Sequence, residues 1–219
     1  MFFSLSLLIL SVSCIPNKKK EVQPTVNANY IFFLHNKFAE ENDLNVAHPQ
    51  YGKVAYIKII ETFQKEGNIV LSEKRKPNTD VKKYAKKVVH QIDSLLSLGI
   101  EANRISVIGT SKGGYIAQYV STYARNPDIN YVFIGCFQND DIENYPDIQF
   151  CGNILTIYEK SDSFGVSAMQ RKNTSKLKIN QFKEIELHTN LNHGFLYQAH
   201  SEWLSPCLMW INRNYSLKN

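Results

Sequence analysis

The sequence predicts an α/β fold: a mostly parallel sheet of about six strands with helices on both faces, three layers in all. Three observations carry that expectation. Six short runs of β-branched, aromatic and aliphatic residues recur along the chain, apolar on both faces, as strands buried between two helical layers are. Helical segments stand between successive runs, and strand–helix–strand order calls for right-handed crossovers and parallel neighbours. One run passes through a Gly-rich turn straight into a helix, and sheets of this kind carry their sites at the carboxyl ends of their strands.

The first strand is YIFFL, residues 30–34. A helix follows over residues 52–65, with Val54, Ile57, Ile60 and Phe63 apolar and Gly67 just beyond. Residues 69–71 (IVL) form the second strand. Val81, Tyr84, Ala85, Val88, Val89, Ile92, Leu95 and Leu96 then recur at spacings of three and four, one face of a long helix. Asn78, Thr79 or Asp80 can cap its start, and Gly99 lies past its end. Residues 105–108 are the third strand, with a helix from Lys112 to about Ala124. Residues 131–134, 154–158 and 182–187 are the fourth, fifth and sixth strands, and a last helix spans 203–213. With no internal repeat and no second boundary, the folded unit is residues 29–219.

Composition narrows the function classes. Hydrophobic residues make up 43% of the 219 and charged residues 21%, enough for a core and too little charge for wholesale disorder. The formal charge of +5 is spread along the chain, with no Arg-rich arm and no zinc-finger or helix-turn-helix spacing, which argues against nucleic acid as a partner. No run of 18 apolar residues occurs, so a spanning helix is not expected. The uncharged opening MFFSLSLLILSV would cover only about 18 Å as a helix, which reads as the apolar core of a signal peptide, residues 1–13. Leu10-Ser11-Val12-Ser13-Cys14 resembles a relaxed bacterial lipoprotein box, and that resemblance implies cleavage before Cys14 and its acylation. Residues 14–28, with Pro16, Pro24 and Lys18–Lys20, read as a tether. The expected location is therefore the cell envelope, periplasmic or outer-surface, held at the membrane through Cys14, or otherwise secretion. The remaining Cys136, Cys151 and Cys207 flank or sit in apolar runs and read as buried thiols.

Chemistry concentrates at Ile108-Gly109-Thr110-Ser111-Lys112-Gly113-Gly114, a G-x-S-x-G directly after a strand and directly before a helix. Such a turn pushes its central Ser into an exposed position, and the new helix aims its free N–H groups and positive dipole end at the same place. A hydroxyl there can attack a carbonyl, with the backbone N–H of Lys112 meeting the oxyanion. A nucleophilic Ser needs a base, and the base an orienting carboxylate. Glu159 and Asp162 follow the fifth strand and His193 the sixth. His188 is the reserve base, and Glu159, or Asp140 and Asp141 after the fourth strand, the reserve acids.

The stretches ISVIGTSKGGYIAQY, ILTIYEKSD and NLNHGFLY resemble the nucleophile, acid and histidine segments of the α/β-hydrolase superfamily, in particular a small, lid-poor serine hydrolase. The resemblance spans residues 30–213. It implies that the six strands are the last six of that fold's eight, in spatial order 2-1-3-4-5-6, without the two leading antiparallel strands. It implies catalytic roles for Ser111, Asp162 and His193, and a second oxyanion donor from the loop after the first strand, the backbone N–H of Asn36 or of Lys37. Tyr51 and Arg75 are candidate pocket residues at the same edge. The expected reaction is cleavage of a carboxylic ester or related acyl bond in a small substrate through an acyl-enzyme, with neither cofactor nor metal. A peptidase or acyltransferase with the same triad, or an inactive surface-binding lipoprotein, are the alternatives. With only about fifteen residues between the fourth and fifth strands, little chain is left for a lid, so small or exposed acyl groups are expected over long lipid chains.

Overall fold

The computed structural model describes Thr25 and residues 27–216. The signal segment (residues 1–13), Cys14 and most of the tether lie outside the described residues. Along the chain run β1 (Tyr30–Leu34), α1 (Lys37–Glu41), β2 (Ala47–His48), β3 (Gly52–Lys53), α2 (Tyr56–Lys65), β4 (Ile69–Leu71), α3 (Val81–Ser97) and β5 (Ile105–Thr110). They are followed by α4 (Lys112–Ala124), β6 (Asn130–Ile134), α5 (Asp141–Asn144), β7 (Gly152–Glu159), α6 (Met169–Thr174), β8 (Ile179–Leu187) and α7 (Ser201–Ile211), with short 3-10 turns at Ala102–Arg104 and Asn192–Tyr197.

Six strands form one parallel sheet in the order β4-β1-β5-β6-β7-β8. Numbered within the sheet, that is 2-1-3-4-5-6, as the resemblance implied. Among the described residues no strand precedes β1.

The continuous apolar runs have a direct cause. Side chains alternate across a strand, and each face here meets helices. In β1, Phe32 and Leu34 join Val107, Phe133, Val88, Ile92, Ile116 and Val120 on the side covered by α3 and α4. Ile31 and Phe33 join Ile108, Val132, Leu155, Ile59, Phe63, Trp203 and Trp210 on the side covered by α2 and α7. A strand buried on both faces favours an apolar residue at every position, and all five residues of β1 are buried. The long helix starts where expected. Asp80 is its cap, accepting from Lys83 N–H at 2.7 Å, and Gly99 beyond its end takes φ +86°.

The helix expected over 52–65 begins only at Tyr56. Gly52 adopts φ +76° and pairs with His48 in a two-stranded antiparallel ribbon, Lys53 with Ala47. A left-handed glycine breaks the helical path, and the apolar Val54 is buried from the irregular link between β3 and α2 instead. The last helix lies two residues earlier than expected. α1, α5 and α6 span only four to six residues, too short to show a periodicity. Cys136, Cys151 and Cys207 are buried free thiols.

Candidate active site

β5 runs to Thr110, so Ser111 is the single residue between strand and helix. It sits at φ +50°, ψ −120°, a region that costs a non-glycine residue about 1–3 kcal/mol and persists only when its surroundings enforce it. Ser111 N–H donates to Ile134 O at 2.8 Å, and Ser111 O accepts from Gly114 and Tyr115 N–H at 2.8 and 3.2 Å. The glycines let backbones close in around it. A Cβ on Gly109 would stand 2.2 Å from Gly113 O, one on Gly113 2.0 Å from Leu34 O, and one on Gly114 2.4 Å from Cys136 Sγ. Two of these obstacles are backbone and cannot swing aside. Gly113→Ala is therefore expected to cost at least about 3 kcal/mol, read from the urea midpoint at unchanged m-value.

Across the sheet edge, Asp162 and His193 meet this serine. Ser111 Oγ lies 3.0 Å from His193 Nε2, and His193 Nδ1 lies 2.6 Å from Asp162 Oδ2. Asp162 is buried, and its other oxygen accepts Phe164 N–H at 2.9 Å, which fixes the carboxylate plane. The imidazole is half-buried, with Phe164 edge-on at 5.4 Å.

Glu159, the reserve acid, does something else. It is fully buried at the end of β7. Its Oε2 accepts Thr189 N–H and Oγ–H at 2.8 and 2.7 Å. Its Oε1 accepts Ser161 N–H at 3.2 Å, Ser161 Oγ–H at 3.0 Å and Asn190 N–H at 3.3 Å. One carboxylate thus clamps the acid loop to the histidine loop. Burial would raise its pKa, but the donors from Thr189 and Ser161 outweigh burial and hold it below the usual 4.5. A depressed folded pKa gives stabilisation that is complete above the ordinary glutamate pKa and is lost as pH falls through the folded value. In Glu159→Gln either orientation of the amide points an NH2 at backbone N–H groups, so a loss of about 2–3 kcal/mol at pH 7 is expected. The acid limb of stability against pH, followed by urea unfolding below about pH 5, is expected to be shallower in that variant.

The loop after β1 is pressed against the elbow by the Gly113 contact. Lys112 opens α4, and its N–H has no intrahelical acceptor. Asn36 is the N-cap of α1, its side chain accepting from Ala39 N–H at 2.9 Å while its own N–H stays outside the helix. Behind the loop lies a charged cluster that sequence reasoning missed. Buried Glu40 accepts from Arg75 Nε at 2.9 Å and from Lys112 Nζ at 2.5 Å. Burial would raise the Glu40 pKa, but the Lys112 and Arg75 hydrogen bonds more than offset it and the net direction is down. Arg75 Nη2 donates to His35 O at 2.5 Å, and Arg75 N–H donates to His35 Nε2 at 3.0 Å. His35 must therefore be the neutral ring with its proton on Nδ1, donating to Asn36 O at 2.9 Å. Burial and Arg75 push its pKa down to about 4, in agreement with that tautomer. Glu40 sits in KFAEE, a short polar-looking segment; only the two basic partners, remote in sequence, reveal its role.

Two expectations need correcting. Arg75 is 2% exposed and committed to Glu40 and His35, so it braces the loop from behind and lines no substrate pocket. Tyr51 does not line the cavity at Ser111 either. It stacks on His48 at 4.6 Å and packs against Tyr197, and a Cβ on Gly194 would strike its ring at 2.7 Å, so it backs the histidine loop. The reserve residues are elsewhere: exposed His188 pairs with Glu186 at 2.9 Å, and both Asp141 oxygens accept from Tyr115 OH at 3.0 and 2.9 Å.

The model of the dienelactone hydrolase family matches residues 24–212. No curated protein sequence matches the chain. Among solved structures, Arabidopsis thaliana SOBER1 is 15% identical, covering 85% of this chain and 98% of its own, with a TM-score of 0.54. One from a study of two Rhizomucor miehei esterases is 13% identical over 86% and 75% of the two chains, at 0.56. MGS-M1, an α/β hydrolase enzyme from a Medee basin deep-sea metagenome library, is 11% identical over 87% and 86%, at 0.55. At these identities the structures share the fold, and the extent of the family match decides the rest: with 24–212 covered, the chain belongs to the dienelactone hydrolase family and has the α/β-hydrolase fold.

Proposed function

We propose that this hydrolase cleaves a carboxylic ester through an acyl-enzyme on Ser111. The observation that carries the reading is the unbroken relay from Ser111 Oγ through the His193 ring to Asp162, at 3.0 and 2.6 Å, beginning on a strained turn. As Oγ bonds to the carbonyl carbon, its proton passes to Nε2 and the carbonyl electron pair moves onto oxygen. The N–H groups of Lys112 and Asn36 receive that oxyanion, one such donor contributing about 3–4 kcal/mol to the barrier reduction. Asp162 steadies the imidazolium. When the C–O bond to the alcohol breaks, Nε2 returns the proton to the leaving oxygen. Water then repeats the sequence on the acyl-enzyme and frees the acid.

Between β6 and β7 the only helix is the four-residue α5, and no lid covers the site among the described residues. This supports short or solvent-exposed acyl groups. An activity-based fluorophosphonate is the direct test: wild-type protein is expected to be labelled at Ser111 within minutes. A folded protein that stays unlabelled overturns the proposal. We further propose export, with Cys14 acylated and residues 14–28 tethering the domain to the envelope membrane. Incorporation of labelled palmitate that is lost in Cys14→Ser is the expected result.

A further inference from the structure

Beside Ser111 a cavity of about 510 Å³ opens toward the N-terminus of α3, and its walls include Val81, Lys82, Tyr115, Tyr119 and Tyr145. We infer that this cavity is the acyl subsite and that it takes a planar aromatic acyl group, of benzoyl or cinnamoyl size. The inference rests on the serine-hydrolase reading and adds the substrate class.

Orientation comes first. The leaving oxygen has to stay within hydrogen-bond reach of His193 Nε2, which returns its proton. Ser111 belongs to the cavity wall, whereas His193, Asp162 and Phe164 do not. The part of the ester that enters the cavity is therefore the part pointing away from the base, the acyl side.

The wall chemistry comes second. Three tyrosines converge from α4 and the segment after α5, and two have their hydroxyls anchored on carboxylates. Tyr115 OH donates to Asp141 at 3.0 and 2.9 Å, and Tyr119 OH donates to Asp147 at 2.9 Å. What the cavity offers is then ring surface held in place, with little side-chain freedom left to lose on binding. Tyr115 and Tyr145 pack at 5.2 Å and 48°, and Tyr145, which also lines the cavity, remains 37% exposed. Lys82 lies 5.1 Å above the Tyr119 ring and is held by Asp147 at 2.7 Å, so it contributes a fixed cationic edge. Offset or edge-on ring packing rewards a flat aromatic guest beyond its area, and a puckered ring of equal size gains the area alone. A long alkyl chain would run out of the open mouth.

The test holds the leaving group constant. Acetate, cyclohexanecarboxylate, benzoate and cinnamate esters of 4-nitrophenol are compared by kcat/KM, each divided by its hydroxide-catalysed rate. The aromatic acyl esters are expected to exceed the cyclohexane ester by tenfold or more. In Tyr145→Ala, whose side chain is partly exposed and whose folding is checked by fluorophosphonate labelling of Ser111, the ratio of cinnamate to acetate is expected to fall about tenfold. A labelled, active enzyme that treats benzoate like cyclohexanecarboxylate, or whose ratio is unmoved in Tyr145→Ala, overturns the aromatic subsite and leaves the serine mechanism standing. Absence of both labelling and hydrolysis of every ester brings down the two together.

Discussion

Ser111→Ala is expected to lower kcat for 4-nitrophenyl acetate by roughly 10⁴-fold or more and to abolish fluorophosphonate labelling, while the protein stays folded. Nothing can replace the lost hydroxyl. The neighbouring thiol, Cys136, is buried against Gly114 and pushed above its usual pKa by that burial, so it offers no thiolate. The residual rate is expected to come from the Lys112 and Asn36 amides and from a water activated by His193. Stability separates the role of this position from its packing. Alanine keeps a Cβ at φ +50°, so it inherits the strain of serine unchanged. Glycine occupies that conformation without penalty, and the relief of about 1–3 kcal/mol exceeds the entropic cost of about 0.5–1 kcal/mol. Ser111→Gly is thus expected to be inactive and more stable than wild type by about 1 kcal/mol, a rise of roughly 2–4 °C in Tm by calorimetry. Equal Tm values for the alanine and glycine variants would show that the turn stores no strain.

That trade explains why this part of the molecule can be read from the sequence. A strained serine needs close backbone approach on both sides, and only glycine leaves room for it, so the geometry appears as the spelling G-T-S-K-G-G. Strands buried on both faces leave an equally plain trace, since apolar residues fill YIFFL and IVL and most positions of the strands beside them. The parts that escaped notice depend on contacts between residues far apart in the chain. Glu40 is one carboxylate in a polar-looking segment until Arg75 and Lys112 arrive from 35 and 72 residues away. Glu159 has the same identity whether it orients an imidazole or clamps two loops; only the hydrogen bonds to Thr189 and Ser161 decide. Arg75 reads as a pocket cation because it follows a strand at the active edge, and burial with no exposed side-chain surface reverses that reading. Local sterics are written in local sequence. Long-range pairing of charges is not.

The carboxylate at 162 offers the sharpest test of how the imidazole is held. Asp162→Asn changes one atom and almost no volume, yet kcat is expected to fall by about 10⁴-fold. The two oxygens of Asp162 have fixed duties. Oδ1 accepts the backbone N–H of Phe164 at 2.9 Å, and Oδ2 faces His193 Nδ1 at 2.6 Å. A backbone N–H can only donate, so the asparagine must turn its carbonyl oxygen toward Phe164 and its NH2 toward the histidine. His193 Nδ1 then meets a donor and is forced to act as acceptor. The ring proton moves to Nε2, the nitrogen that stands 3.0 Å from Ser111 Oγ. An Nε2 that already carries a proton has no lone pair left to take the serine's, and a ring that first returned its proton to Nδ1 would set it against the amide NH2 and form a cation that no carboxylate stabilises. The fold has no reason to change, because the Phe164 hydrogen bond is kept as it is and the bond to His193 survives with its sense exchanged, and Tm is expected to stay within about 2 °C of wild type. NMR of the ring nitrogens is expected to report the proton on Nδ1 in the wild type and on Nε2 in the variant. An asparagine enzyme that keeps its proton on Nδ1 and most of its activity would mean that Asp162 does not orient the base.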